Sequence, residues 1–453
     1  DDLRRYSFDG RPLMIRRGEV DDNRRSVGAY PGDWPVVIAG TIAQCVVTWD
    51  RVTLNIRDKQ GYVASLPIFQ GRFLGNNVLP DGLEGVEADL KDKPQPRPWG
   101  DVANVTVPIV NTQKLIGFLG YQGPLYPITV TAVNDKGSLL TAGSVYPDIA
   151  TLLSTAPTSL QYRVYPGSAT EPAYVRFGST PQGLVTAYIQ EGSTAADRTV
   201  AQLVKRILKG PGGMTDADLD LDSFVALDGK APYPVGWWAQ EETIGSALDA
   251  ICASVNAFWI PTREGKFSVG RLEAPSGPSR ATFTLADLMG NGNGVPSGDD
   301  ALSTVVPSDD GAGLPPWTIE LLYDHNWSVQ SADSLAGIAL ADKGYLTREY
   351  RSVKVADETV KTRWRLSPQI QIQTQLRTLA DATEEAERLQ GLIGVRREMW
   401  RITVDPERSG SVWLNDVVTL RLPRFGMEEG KQFRVLGIIE ELNRQRVTLI
   451  LWG

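Results

Sequence analysis

The sequence predicts a mainly β chain with α+β insertions spread over several domains, and three observations predict it. Apolar and polar residues alternate at period two along many short runs. Gly and Pro together supply 44 + 29 = 73 of the 453 residues, which suits turns between short strands better than a helical bundle. Helical spacing is confined to three stretches. At this length the chain exceeds a single core and should divide into several domains.

Taken in order, Val46-Val-Thr-Trp-Asp-Arg-Val-Thr-Leu-Asn-Ile-Arg57 alternates well and reads as strand, and residues 101–110 form a second β-rich run. Residues 69–77 and 89–100 lie between them as loops. Pro94, Pro96 and Pro98 remove three backbone donors, so this segment is expected to be an extended surface arm packed by Trp99. A proline-rich ligand for a signalling domain is the sharper but less favoured reading.

Residues 151–275 change character. Ser193 or Thr194 is placed to cap a helix whose apolar stripe is Val200, Leu203, Val204, Ile207 and Leu208, with Gly210-Pro211 as its stop. A second helix runs from about Glu242 with Ile244, Leu248, Ile251 and Val255 on one face. Two strands, 257–261 and 267–272, turn at Arg263-Glu-Gly-Lys266 and complete a small α+β domain. A Gly/Asn/Ser/Asp/Pro-rich loop then covers 291–316, too long for an ordinary connection.

The last helix is expected to start at Asp381, with Glu384 closing a capping box and Gly394 as its stop. Residues 399–404 lead into a closing β-meander over 412–426, 431–441 and 446–453, in which Val447, Leu449 and Leu451 share a face. The expected domains are therefore 1–150, β-rich; 151–275, α+β; 276–375, β-rich with the 290–316 loop; and 376–453, helix plus meander.

Composition narrows the functional classes. A formal charge of −8 argues against a nucleic-acid binder, which needs clustered Lys and Arg. Cys45 and Cys252, the only cysteines, read as separate small hydrophobes and not as a disulfide. No window approaches the roughly 18 apolar residues of a membrane-spanning helix. No signal-peptide pattern follows Asp1-Asp-Leu-Arg-Arg5, so synthesis in a cytoplasm is expected.

Catalytic signals are few. His325 is the single histidine, and no Gly-x-Ser-x-Gly elbow accompanies it, so a structural role is expected. Asp216, Asp218, Asp220 and Asp222 alternate like a cation loop, yet Leu221 and Leu227 occupy the places where an EF-hand needs Gly and Glu. Asp216, Asp218 and Asp220 remain weak metal candidates beside the plainer reading, a solvated turn capped by Asp218 or Asp220. Gly290-Asn-Gly-Asn-Gly294 lacks the Lys-Ser/Thr of a phosphate loop and reads as linker. Trp237-Trp238 would suit a sugar-stacking platform, although a hydrophobic contact at a helix entry is favoured. A pair of acids for glycoside hydrolysis has no local motif behind it. Neither an enzyme nor a cofactor is expected.

The closing stretch Asn415-Asp-Val-Val-Thr-Leu-Arg-Leu-Pro-Arg-Phe-Gly426, with Lys431-Gln-Phe-Arg-Val-Leu-Gly-Ile438 and Val447-Thr-Leu-Ile-Leu-Trp-Gly453, resembles the C-terminus of tail hub proteins from long-tailed bacteriophages and gene transfer agents. Residues 83–100 followed by Val102-Ala-Asn-Val105, Thr199-Val-Ala-Gln-Leu-Val204, 244–255, Arg263-Glu-Gly-Lys-Phe-Ser-Val269, Asn326-Trp-Ser-Val-Gln330 and 381–392 are similar to further parts of that family. The resemblance implies a multi-domain hub with two β-barrels related to the tail-tube subunit. It implies a homotrimer at the virion tail tip, meeting the distal tail or tube protein, the tape-measure protein, and a fibre or receptor-binding protein, while DNA passes without specific binding.

On that reading the loops 89–100 and 290–316 are the expected contact regions, through Pro94, Pro96, Pro98, Trp99, Asn291, Asn293, Asp309 and Asp310. Some hubs carry a fused lytic domain; none is expected to follow Gly453 here. Two other classes stay open: a carbohydrate-binding β-protein using Trp237 and Trp238, and a peptidoglycan-degrading tail enzyme.

Overall fold

The computed structural model describes residues 8, 10–18, 21, 26–120, 128–289, 301–307, 313–337, 339, 342–441 and 445–453. Strand accounts for 36% and helix for 21%, so the chain is mainly β. It divides into two units: residues 1–270, 322–351 and 373–378, and residues 271–321, 352–372 and 379–453.

The first unit is built on two five-stranded sheets. One runs Gly236–Ala239, Arg97–Thr106, Val185–Gln190, Thr129–Asp135, Ser138–Leu139; the other Ile109–Asn111, Ile116–Gly120, Ala173–Phe177, Gln161–Tyr165, Thr141–Ala142. Val102, Val105, Val133 and Ile189 from the first and Leu119, Val164, Val175 and Phe177 from the second fill one shared core. Strands covered on both faces lose their alternation: Ile116–Gly120 and Ala173–Phe177 are buried at every position. Behind the second sheet Phe118 stands edge-on to Phe73 and Tyr174, at 5.0 and 5.8 Å.

Strand pairing runs across residue 150, where a domain boundary was expected. Gln161 pairs with Thr141, and Val185–Gln190 lies between Arg97–Thr106 and Thr129–Asp135. Sheets are completed by hydrogen bonds between distant segments, which a change of composition along the chain does not register.

The α+β part of this unit holds three helices of ten residues instead of the expected two. Val200–Lys209 starts one turn later than expected: Thr199 is its cap, accepting from the Gln202 N–H. Thr194 instead heads a 3-10 turn, Ala195–Arg198, closed by Asp197 in a capping box. Ile244–Ala253, capped by Thr243, packs on Val200–Lys209 and on Ala257–Pro261. The additional helix, Leu221–Lys230, buries only Phe224 and Leu227, too thin a stripe for periodicity to reveal.

At the N-terminal end Pro12–Arg16, Val36–Val47 and Val52–Arg57 form a three-stranded antiparallel sheet. The run expected as one strand over 46–57 is a hairpin. The Thr48 N–H donates to the Arg51 carbonyl at 2.8 Å and the Thr48 hydroxyl to the Asp50 carboxylate at 3.1 Å, so the chain reverses at Trp49-Asp50. A two-residue turn preserves period two, and alternation alone therefore does not show it.

The second unit centres on a six-stranded sheet, in the order Ala281–Thr284, Val417–Arg421, Lys431–Glu441, Arg446–Trp452, Met399–Val404, Leu302–Thr304. Its middle is the closing meander, antiparallel throughout, with Val447, Leu449 and Leu451 buried beside Phe433, Val435, Ile402 and Val418. Helix Leu379–Ile393 sets Ala386, Leu389 and Leu392 against Ile319, Leu321 and Trp452, with Val353, Val355, Ile370 and Ile372 packed alongside. The helix starts at Leu379, so Asp381 lies inside its first turn and not at the cap. A carboxylate there still faces the positive helix end.

Candidate functional site

Among the described residues, the candidates from sequence do not converge on one site. Pro96, Pro98 and Trp99 are buried and Pro94 is half-buried, so the second half of the expected surface arm is internal, while residues 89 and 91–93 are exposed as expected. Strand Arg97–Thr106 begins within the proline run and pairs with Gly236–Ala239, setting Trp99 opposite Trp237 and Pro98 opposite Trp238. The prolines alternate with residues that keep their N–H, and Gln95 donates its own to the Gly71 carbonyl at 2.8 Å. Three lost donors therefore do not prevent burial. The Arg97 guanidinium lies 4.1 Å over the Trp99 ring. Asn291, Asn293, Asp309 and Asp310 lie outside the described residues.

The aspartate run is divided among separate partners. Asp216 pairs with Lys209 at 2.8 Å, Asp218 with Lys59 at 2.5 Å, and Asp220 accepts from the Ser268 hydroxyl at 3.1 Å. Asp218 also closes a capping box with Thr215. The Lys59 ammonium, followed by the Thr215 amide, holds the Asp218 carboxyl down at about 2. Among the described residues no three His, Cys, Asp or Glu side chains gather as a metal site.

His325 is packed as a structural residue. Its ring stacks on Tyr350 at 4.4 Å and lies 4.0 Å from Trp327, while Nδ1 meets the Gln375 amide oxygen at 3.3 Å and Nε2 the Glu349 carboxylate at 3.5 Å. Burial lowers its pKa below the ordinary 6.5. Trp237 stands edge-on to Trp327 at 5.2 Å and donates Nε1–H to Glu242 at 2.6 Å. Trp238 belongs to the sandwich core. The two indoles thus form no shared platform for a sugar.

Two polar assemblies were not visible in the sequence. Asn326 donates to the carbonyls of Tyr345, Leu346 and Arg348 at 3.2, 3.2 and 2.9 Å and accepts from Asn104 at 2.6 Å, clasping the loop after residue 324 to strand Arg97–Thr106. Arg377 pairs with Asp101 at 3.1 Å and with Asp324, which also meets Arg351 at 3.1 Å. Burial, helped by Asp324, pushes the nearby Tyr188 phenol up to about 12 and raises Tyr345 as well. These charges satisfy one another inside the first unit, an arrangement suited to holding geometry.

What the fold does present is the N-terminal sheet. Met14, Ile38, Val46, Val47, Trp49 and Val52 are exposed on it, Trp49 completely at 104%, and Tyr30 beside it is 70% exposed. Within Val36–Val47 only Val37 and Ile42 are buried. A sequence signal was available: these twelve residues contain no charged side chain, although all but Val37 and Ile42 are half-buried or exposed. This sheet is the candidate functional surface.

No protein-family model matches the chain, and no curated protein does. Among solved structures the chain is similar to one in the virion of a native gene transfer agent particle, with 16% identity over 80% of this chain and 85% of that one and a TM-score of 0.49. It is also similar to the 43 kDa tail protein of prophage MuSo2 from Shewanella oneidensis, with 13% identity over 80% and 98% and a TM-score of 0.32. The tail protein from Neisseria meningitidis MC58 gives 13% identity over 61% and 77% and a TM-score of 0.32. At this level of likeness no role passes from those proteins to this chain.

Proposed function

We propose that this chain is a structural hub subunit of a phage or gene-transfer-agent tail tip. Three copies form a ring that continues and closes the tail tube, anchors fibre or receptor-binding proteins, and opens for the tape-measure protein and DNA. The observation that carries the reading is where the hub-like residues fall. The closing meander supplies three adjacent strands of the second unit's main sheet, and Val102-Ala-Asn-Val105 lies in a central strand of the first. The likeness is thus in framework residues, which suits a protein whose work is mechanical and depends on interface area and symmetry.

Three copies carry 3 × −8 = −24 formal charges. Part of this acidity faces the lumen in our reading, repelling DNA phosphates so that passage does not stall. Native mass measurement and particle imaging test the proposal together. A trimer of 3 × 49.5 = 148.5 kDa with ring-shaped particles is expected. A strict monomer under all assembly conditions refutes the ring, and a lumen lined chiefly by Lys and Arg refutes the charge argument.

A further inference from the structure

We infer that the N-terminal three-stranded sheet is where one copy of this chain joins the next, strand edge to strand edge. The inference rests on the ring assembly proposed above and names the surface that makes it. Val46 and Val47 are neighbours on a strand, so they point to opposite faces, and both are exposed. Apolar side chains open on each face of one strand mark a surface suited to a contact.

Exposed apolar area adds to the strand pairing. Trp49 and Tyr30 alone offer roughly 350 Å². With the other exposed apolar side chains the surface reaches on the order of 800 Å², divided between the two contacts that each copy makes in a ring, so each contact is small and relies on strand pairing as well.

Two features select a second copy as the occupant. Among the described residues, Pro12–Arg16 and Val52–Arg57 each pair only with Val36–Val47, so the sheet ends in two different edges. An open edge is a template for another strand, and a bilayer offers nothing to pair with its backbone N–H and C=O groups. Joining the Val52–Arg57 edge of one copy to the Pro12–Arg16 edge of the next uses both edges, and such a head-to-tail contact closes a ring when its rotation permits. Charge agrees. Between residues 8 and 58 the sequence holds seven arginines and no lysine against seven aspartates and glutamates. A nearly neutral surface favours its own kind over a phosphate backbone or an anionic membrane.

The test uses the full chain carrying Trp49→Ser with Val52→Lys, both at exposed positions. Native mass and sedimentation should show the 148.5 kDa trimer for the parent and at least a tenfold weaker association for the variant. Hydrogen exchange should find the outward-pointing amides of Val52–Arg57, those not bonded to Val36–Val47, protected in the parent assembly and fast in the variant, while those of the core strand Val185–Gln190 stay protected in both. Leu160→Lys, an equally exposed apolar position in the same unit, is the control and should keep the parent's mass. A variant that trimerises like the parent, with the outward-pointing amides of Val52–Arg57 open, overturns this inference and leaves the ring intact. A monomeric parent overturns both. Binding of a monomeric parent to phosphatidylcholine vesicles would assign the sheet to a membrane instead.

Discussion

Replacing Arg206 by Met should destabilise the first unit severely, because it strands a charge. Arg206 Nη2 lies 2.5 Å from Glu191 Oε2, with the side chains only 9% and 1% exposed. That same oxygen accepts from the Gly100 N–H at 3.0 Å, and Arg206 also donates to the Asp197 carbonyl. Glu191 Oε1 has no partner among the described residues, so the arginine is the chief counter-charge. The cluster ties helix Val200–Lys209 to the strand Arg97–Thr106.

Breaking one side of such a pair costs ~3–5 kcal/mol, whereas removing both sides is far milder. For a unit of this size that cost lowers the unfolding midpoint by roughly 10 °C. The assay is calorimetric unfolding of the parent, Arg206→Met, Glu191→Gln and the double variant, read as a thermodynamic cycle. The double variant should recover at least half of the single-variant loss. A loss below ~1 kcal/mol for Arg206→Met, or simple additivity in the cycle, refutes the argument.

Three further outcomes are expected. Asp218 is ionised well below its usual 3.8, at about 2, so the stability it contributes is complete above pH 4 and is lost as pH falls toward 2. Urea midpoints for Asp218→Asn should therefore fall less steeply over that range than those of the parent. His325 is held below its ordinary 6.5, so the folded state loses stability as pH drops below that value, and the single imidazole resonance should titrate late. His325→Gln should remove that pH dependence; an unshifted imidazole titration contradicts it. Leu449→Ala, at a fully buried position of the meander, should cost ~2–5 kcal/mol, and Leu436→Ala, exposed on the neighbouring strand, under about 0.5 kcal/mol in denaturant unfolding.

Several features were legible in the sequence because they are local. The stripe of Val200, Leu203, Val204, Ile207 and Leu208 marks its helix, and the face shared by Val447, Leu449 and Leu451 marks a buried strand. Errors came where two local signals compete. Thr194 and Thr199 both suit a cap, and the first heads only a 3-10 turn. Burial of Pro96, Pro98 and Trp99 was out of reach, because it depends on Gly236–Ala239, well over a hundred residues later.

The sequence by itself determined the mainly β class, the helices with broad apolar stripes, the closing meander and its inward face, and the scarcity of catalytic groups. Those follow from periods of two and 3.6 residues and from residue chemistry, both readable in a short window. Only the tertiary structure decided which strands share a sheet across residue 150, that Asn326 and Arg377 clasp distant loops, and that the N-terminal sheet keeps its apolar side chains open. Each is a question of which remote segment covers a given face. Covering is a property of pairs of segments, and no single stretch of sequence contains it.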